Sequence, residues 1–157
     1  MNEEIVDATE RNLRLLSQAW YQAREDQKAI PPLERAAKLS DDGELYVRLG
    51  QAHINLEHWS DAATAIQQGL KLGGLKRIDT ANIMLGMALF NMKRLEQARR
   101  AFSIAAGDNR SKRAATQWIA YVDSEIKRRD LLKQDVPDYQ PRERDQMEDV
   151  IQEQGQE

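Results

Sequence analysis

The chain has 157 residues, 41% of them hydrophobic and 31% charged, which is enough for one domain with a modest core. It contains no Cys, which excludes disulfides and thiolate metal sites, and no apolar run approaches the ~18 residues that span a bilayer. The net charge of -3 conceals an uneven distribution: residues 1–92 balance at -3, residues 93–133 at +6 and residues 134–157 at -6.

Apolar periodicity of the 3.6-residue kind predicts helices over 2–24, 30–39, 43–56, 60–72, 79–91, 95–106 and 111–133. No positively charged, apolar leader precedes the first, and residues 2–10 read as helix interior, so the chain is expected to be part of a longer protein. In the second helix Pro31 and Pro32 stand where the first turn should lie, which predicts a late start. Ser60, Asp79 and Ser111 are candidate N-caps for the fourth, fifth and seventh helices. Gly73 and Gly74 supply a left-handed turn after the fourth. The seventh carries a stripe of Ala114, Ala115, Trp118, Ile119, Val122 and Ile126 opposite a charged face, as a helix must that covers a stack and meets water. Residues 1–133 are read as one domain. Residues 134–157, with Pro137, Pro141, Gly155 and many acidic residues, read as an unstructured acidic tail with a short helix over 142–152.

The helices repeat. When Leu49-Gly50 is aligned with Leu85-Gly86, Trp59 and Leu95 follow nine residues after each Gly. Ala62 and Ala98 follow at twelve, Ile66 and Phe102 at sixteen, and the small residues Gly69 and Ala105 at nineteen. The Gly73-Gly74-Leu75-Lys76-Arg77 turn absorbs the extra length between copies. Ser17, Ala29, Leu33 and Ala36 form an earlier copy in the same register. The pattern resembles the tetratricopeptide-repeat (TPR) signature, with Tyr46 and Asn82 in place of the opening Trp and no closing Pro. That resemblance implies an all-α, right-handed superhelix of antiparallel helix pairs: about three repeats and a C-terminal capping helix. The small residues let paired helices approach, and the large ones fill the layer between hairpins, since one hairpin cannot bury its own apolar face.

Residues 28–130 also resemble the C-terminal end of the periplasmic TPR proteins found in proteobacteria beside TonB, ExbB and ExbD. The resemblance rests on Gly73-Gly74-Leu75-Lys76-Arg77, on Met84 to Leu89, on Ala98-Arg99-Arg100-Ala101-Phe102, on Ser111 to Ala115 and on Gln117 to Val122. It implies a periplasmic accessory of TonB-type energy transduction. Composition does not itself fix the compartment, and the cytoplasm remains open.

Sites for chemistry are sparse. His53 and Glu57 share a helical face, but the spacing to His58 misses the zinc-binding pattern and no third ligand is evident, so the histidines are assigned to packing and to the turn. Gly73-Gly74 lacks the strand and the Lys-Ser/Thr of a phosphate loop. No enzyme activity, cofactor or metal is expected. The TPR resemblance places a binding groove on the first helix of each hairpin: Arg14, Gln18, Tyr21 and Gln22 in repeat one, Val47, Gln51, Ile54 and Asn55 in repeat two, and Ile83, Met87, Phe90 and Asn91 in repeat three. The amides can hold an extended backbone, and the apolar members offer adaptable area. Some of these residues are alternatively covered by a neighbouring hairpin or by the capping helix. The groove has no Lys/Arg cluster, which argues against a clamp for a C-terminal carboxylate.

Arg110, Lys112, Arg113, Lys127, Arg128 and Arg129 read either as a solvated face or as a basic patch for an acidic partner. Few aromatics accompany them and the whole chain is acidic, so nucleic acid is not the expected partner. The expected function is a scaffold that binds a protein or peptide, with a TonB-system component as the partner the narrower resemblance implies. The alternative is a module that forms homo-oligomers through an N-terminal apolar face including Leu13 and Leu16.

Overall fold

At each turn from the first to the second helix of a repeat the sequence offers no glycine, only Arg24, Glu57 and Lys93. All three nevertheless adopt left-handed backbone, with φ of 58°, 59° and 62°. Each stands seven residues after the small residue of its repeat, Ser17, Gly50 or Gly86. The hydrogen bonds recur with it. The N–H groups of Arg24, Glu57 and Lys93 donate to the carbonyls of Tyr21, Ile54 and Phe90 at 3.0, 2.9 and 2.9 Å. Those of Glu25, His58 and Arg94 donate to Trp20, His53 and Leu89, each at 2.9 Å. The second set reaches back across a full helical end, which satisfies carbonyls that a terminating helix leaves unpaired. One backbone turn is thus written three times in three different sequences.

The computed structural model describes residues 2–135, with side chains over 9–134. Seven helices occur among the described residues: α1 (Asn2–Gln22), α2 (Asp26–Leu39), α3 (Gly43–Asn55), α4 (Trp59–Leu72), α5 (Ile78–Asn91), α6 (Leu95–Ala106) and α7 (Lys112–Asp135). α1 packs on α2, α3 on α4 and α5 on α6, while α2·α3 and α4·α5 contacts join successive hairpins and α3 also meets α5. The chain divides into two units at Ile126/Lys127, with the three hairpins and the first part of α7 in the former. The acidic tail expected at 134–157 lies outside the described residues beyond Asp135, as does the short helix expected over 142–152.

Close packing explains the residue types of the repeat. A side chain on Gly86 would place its Cβ 2.6 Å from the Phe102 ring, and one on Gly50 would collide with Ile66. Ala62, Ala98, Ile66 and Phe102 are all fully buried. One cluster, around Leu13, Leu33, Leu45 and Leu49, fuses the first two hairpins. The other runs from Ile54 and Ile66 through Leu85 and Phe102 to Val122 of α7, with Trp118 packed against it. Leu13 is therefore part of the protein's own core, whereas Leu16 is exposed. This corrects the expectation that both stand open for self-association.

Three local expectations are also corrected. α2 starts early, at Asp26, and carries Pro31 and Pro32 inside it. The turn after α1 ends on Glu25, whose carbonyl already accepts from Lys28 and Ala29, so the helix is begun before the prolines arrive. The first residue of α4 is Trp59, with His58 rather than Ser60 at the cap. Asp79 lies within the first turn of α5 instead of capping it. Its carboxylate is buried and accepts from Arg77 Nε at 2.9 Å and Nη2 at 2.7 Å, and from the hydroxyl of Ser111 at 2.5 Å. Ser111 thus uses its carbonyl, which accepts from Ala115 at 2.9 Å, to start α7, and its side chain to tie that start to α5. The hydrogen bonds from Arg77 hold the Asp79 carboxyl well below the usual carboxylate range, against the opposing effect of burial.

Candidate peptide-binding site

The first helix of each hairpin repeats the same positions, and the structure gives them different surroundings. Between α1 and α3 lies a cavity of ≈ 390 Å³ floored by Ala29 and Leu33 of α2. Gln18, Tyr21, Gln22 and Gln51, four of the groove residues expected from sequence, line it together with Ser17 and Arg48. Gln18, Tyr21 and Gln22 are exposed, and Gln51 is half-buried. Its wall therefore combines amide groups, one phenol and one guanidinium over an aliphatic floor. That is a surface able to pair with a peptide backbone and to cover an apolar side chain.

The remaining groove residues are committed elsewhere to different degrees. Arg14 donates to Glu10 at 2.8 Å, to Asp42 at 3.1 Å and to Ser40 at 3.3 Å, tying α1 to the α2–α3 junction. The Asn55 amide donates to Asp26 at 3.2 Å and accepts from Gln51 at 2.9 Å. Asn91 donates to the carbonyl of Met87 in its own helix at 2.9 Å. Ile54 is buried, and Val47, Ile83, Met87 and Phe90 pack partly buried against the larger core cluster.

In repeat three, Phe90 is covered by α7. Phe90 meets Tyr121 of α7 at a ring separation of 5.2 Å and Trp118 at 5.9 Å. Trp118 stacks on Phe102 of α6 at 5.1 Å with the rings 5° from parallel. The capping position assigned to Trp118 is thus filled as expected, against the second helix of repeat three.

Within the first unit the basic residues have different surroundings. Arg110 is bound by Asp108 through contacts of 3.0 and 2.7 Å and lies 3.8 Å from Asp79. Lys112 and Arg113 are exposed at the start of α7. In the second unit Lys127 and Arg128 are exposed, and Arg129 donates to Asp130 at 3.1 Å. Sequence reasoning missed Arg48 and Ser17. Arg48 falls between two assigned groove positions, and Ser17 stands where the repeat pattern has its packing Gly.

At the level of sequence, no family model and no curated protein matches the chain. The fold does match solved structures. The crystal structure of MamA superposes with a TM-score of 0.69 at 20% identity, covering 82% of this chain and 76% of that one. The second TPR domain of human RPAP3, solved in complex with the HSP70 peptide SGPTIEEVD, gives 0.67 at 13% identity, covering 75% and 98%. The TPR domain of Arabidopsis OM64 gives 0.66 at 17% identity, covering 75% and 97%. At such identities the likeness is one of architecture, and with the recurrent turn and the small-residue contacts it defines the all-α array of antiparallel pairs as a TPR fold.

Proposed function

We propose that this chain is a non-catalytic scaffold that binds an extended segment of another polypeptide on the α1/α3/α5 side, principally in the cavity between α1 and α3. The observation that carries this reading is the coincidence of four expected groove residues, Gln18, Tyr21, Gln22 and Gln51, around one cavity with an aliphatic floor. The shared fold supports it, because the RPAP3 domain was solved with an HSP70 peptide and the TPR2B domain of yeast Sti1 as a complex with pHsp70. Asn55 and Asn91 extend the amide row along the same helices. For the partner we propose a TonB-system component, and for the compartment the periplasm, on the resemblance of residues 28–130 to the periplasmic TPR proteins.

A pull-down of periplasmic proteins with the wild-type chain and with a Tyr21→Ala/Gln51→Ala variant tests the site. Loss of the recovered partner with unchanged melting temperature is the expected result. An Asn55→Ala/Asn91→Ala variant should weaken the same interaction by about 1–3 kcal/mol through unsatisfied partner groups. Equal recovery by all three proteins places the interaction away from this face.

A further inference from the structure

Among the described residues, the buried Nδ1 of His53 has no hydrogen-bond partner. Buried polar groups are nearly always paired, so an orphaned imidazole nitrogen asks what it faces. His53 is only 8% exposed and sits near the end of α3. The turn that follows brings a second imidazole back beside it. His58 donates its backbone N–H to the His53 carbonyl at 2.9 Å, and its own carbonyl accepts from Ala62 at 2.9 Å, which fixes its backbone at the head of α4. The two rings lie 5.8 Å apart at 44°. Asp61 stands three residues after His58, one turn into α4 and so on the same side of that helix.

One imidazole nitrogen from each histidine and one carboxylate oxygen of Asp61 lie within 4.8 Å of one another. Metal–ligand bonds of 2.0–2.2 Å in a tetrahedral arrangement need donors about 3.4 Å apart. His58 and Asp61 are both exposed, so their side chains have room to rotate toward that spacing, while His53 is held by its burial. We propose that His53, His58 and Asp61 form a binding site for one Zn²⁺-class divalent transition-metal ion at the α3–α4 turn. Two imidazoles and a carboxylate suit Zn²⁺, Ni²⁺ or Cu²⁺, whereas Mg²⁺ and Ca²⁺ call for all-oxygen shells. Three protein donors leave a fourth position for water or for a donor from a bound partner. The sequence alone places His53 and Glu57 on one helical face, with no third ligand evident, and assigns the histidines to packing and to the turn. Glu57 takes the left-handed turn position and is not in the cluster, and Asp61 supplies the third donor.

The test uses the full chain without a polyhistidine tag, titrated with ZnCl₂ by calorimetry and checked by native mass spectrometry. Because the chain has two histidines, no other imidazole pair competes. His58→Gln and Asp61→Asn alter exposed side chains and should leave the circular dichroism unchanged. The wild type should bind one equivalent of Zn²⁺ and melt at a higher temperature with it, and MgCl₂ should do neither. Each variant should bind at least about tenfold more weakly. Absence of saturable one-to-one binding overturns the site, as does one-to-one binding that survives both substitutions.

Discussion

Tyr21, Ile54 and Phe90 occupy one position of the repeat, each four residues after Ser17, Gly50 or Gly86. Tyr21 is exposed beside an open cavity, Ile54 is buried between hairpins, and Phe90 lies under Trp118 and Tyr121 of α7. One end of the α1/α3/α5 side is therefore available to a partner, and the other is occupied by the chain's own last helix. What separates them is the neighbour in space, since all three side chains are large and apolar or amphipathic. An aromatic contributes to the core at one end and can contribute binding area at the other.

Removing the anchor of the closed end should have the largest effect. Phe102→Ala empties a fully buried site and should cost about 3–5 kcal/mol in denaturant unfolding. Trp118→Ala removes the ring stacked on it, and because Trp118 is only half-buried the loss should be smaller, about 2–3 kcal/mol. A Trp118→Ala protein with wild-type stability would mean that α7 does not close the stack.

The polar tie at the same end has a pH signature. The folded state holds the Asp79 carboxyl below the ~3.9 of an unfolded aspartate. Its contribution is therefore fully present above the unfolded value and disappears as pH falls toward the folded one. The stability difference between wild type and Asp79→Asn should be constant above about pH 5 and shrink below about pH 4. A difference independent of pH down to acid unfolding would show that the charge of Asp79 is not what matters. At the open end, Tyr21→Ala should change stability by no more than about 0.5 kcal/mol, as exposed substitutions usually do, while reducing partner binding. Lys93→Gly should act in the opposite direction and stabilise the fold by about 0.5–1 kcal/mol, by relieving a left-handed conformation that a side chain disfavours. Thermal melts resolve its sign.

The sequence reveals the hairpins because contact forces residue type. Gly50 against Ile66 and Gly86 against Phe102 admit nothing larger, so the register of the repeats can be read from spacing. The open cavity was half legible: the face was predictable from helical periodicity, but which of its residues stay uncovered depends on α7 and on the neighbouring hairpin. Contacts between distant parts of the chain were not legible. Asp79 and Ser111 look like two separate caps until the fold joins them across 32 residues. His53, His58 and Asp61 follow no single helical period because a turn intervenes. The early start of α2 was hidden for a related reason: the turn at Arg24 and Glu25 sets it by backbone geometry, with no side-chain cap to announce it.

That turn has a consequence for how such a chain can change. Its bonds run from backbone to backbone, and no side chain of Glu25, His58 or Arg94 caps the helix that follows. The position is thus a vacancy in the folding code, where substitutions can drift without disturbing the hairpin. An acid, an imidazole and a guanidinium already occupy it in the three copies. A trait gained there, such as affinity for a metal ion, can be acquired or lost by one repeat while the architecture of the others stays as it is.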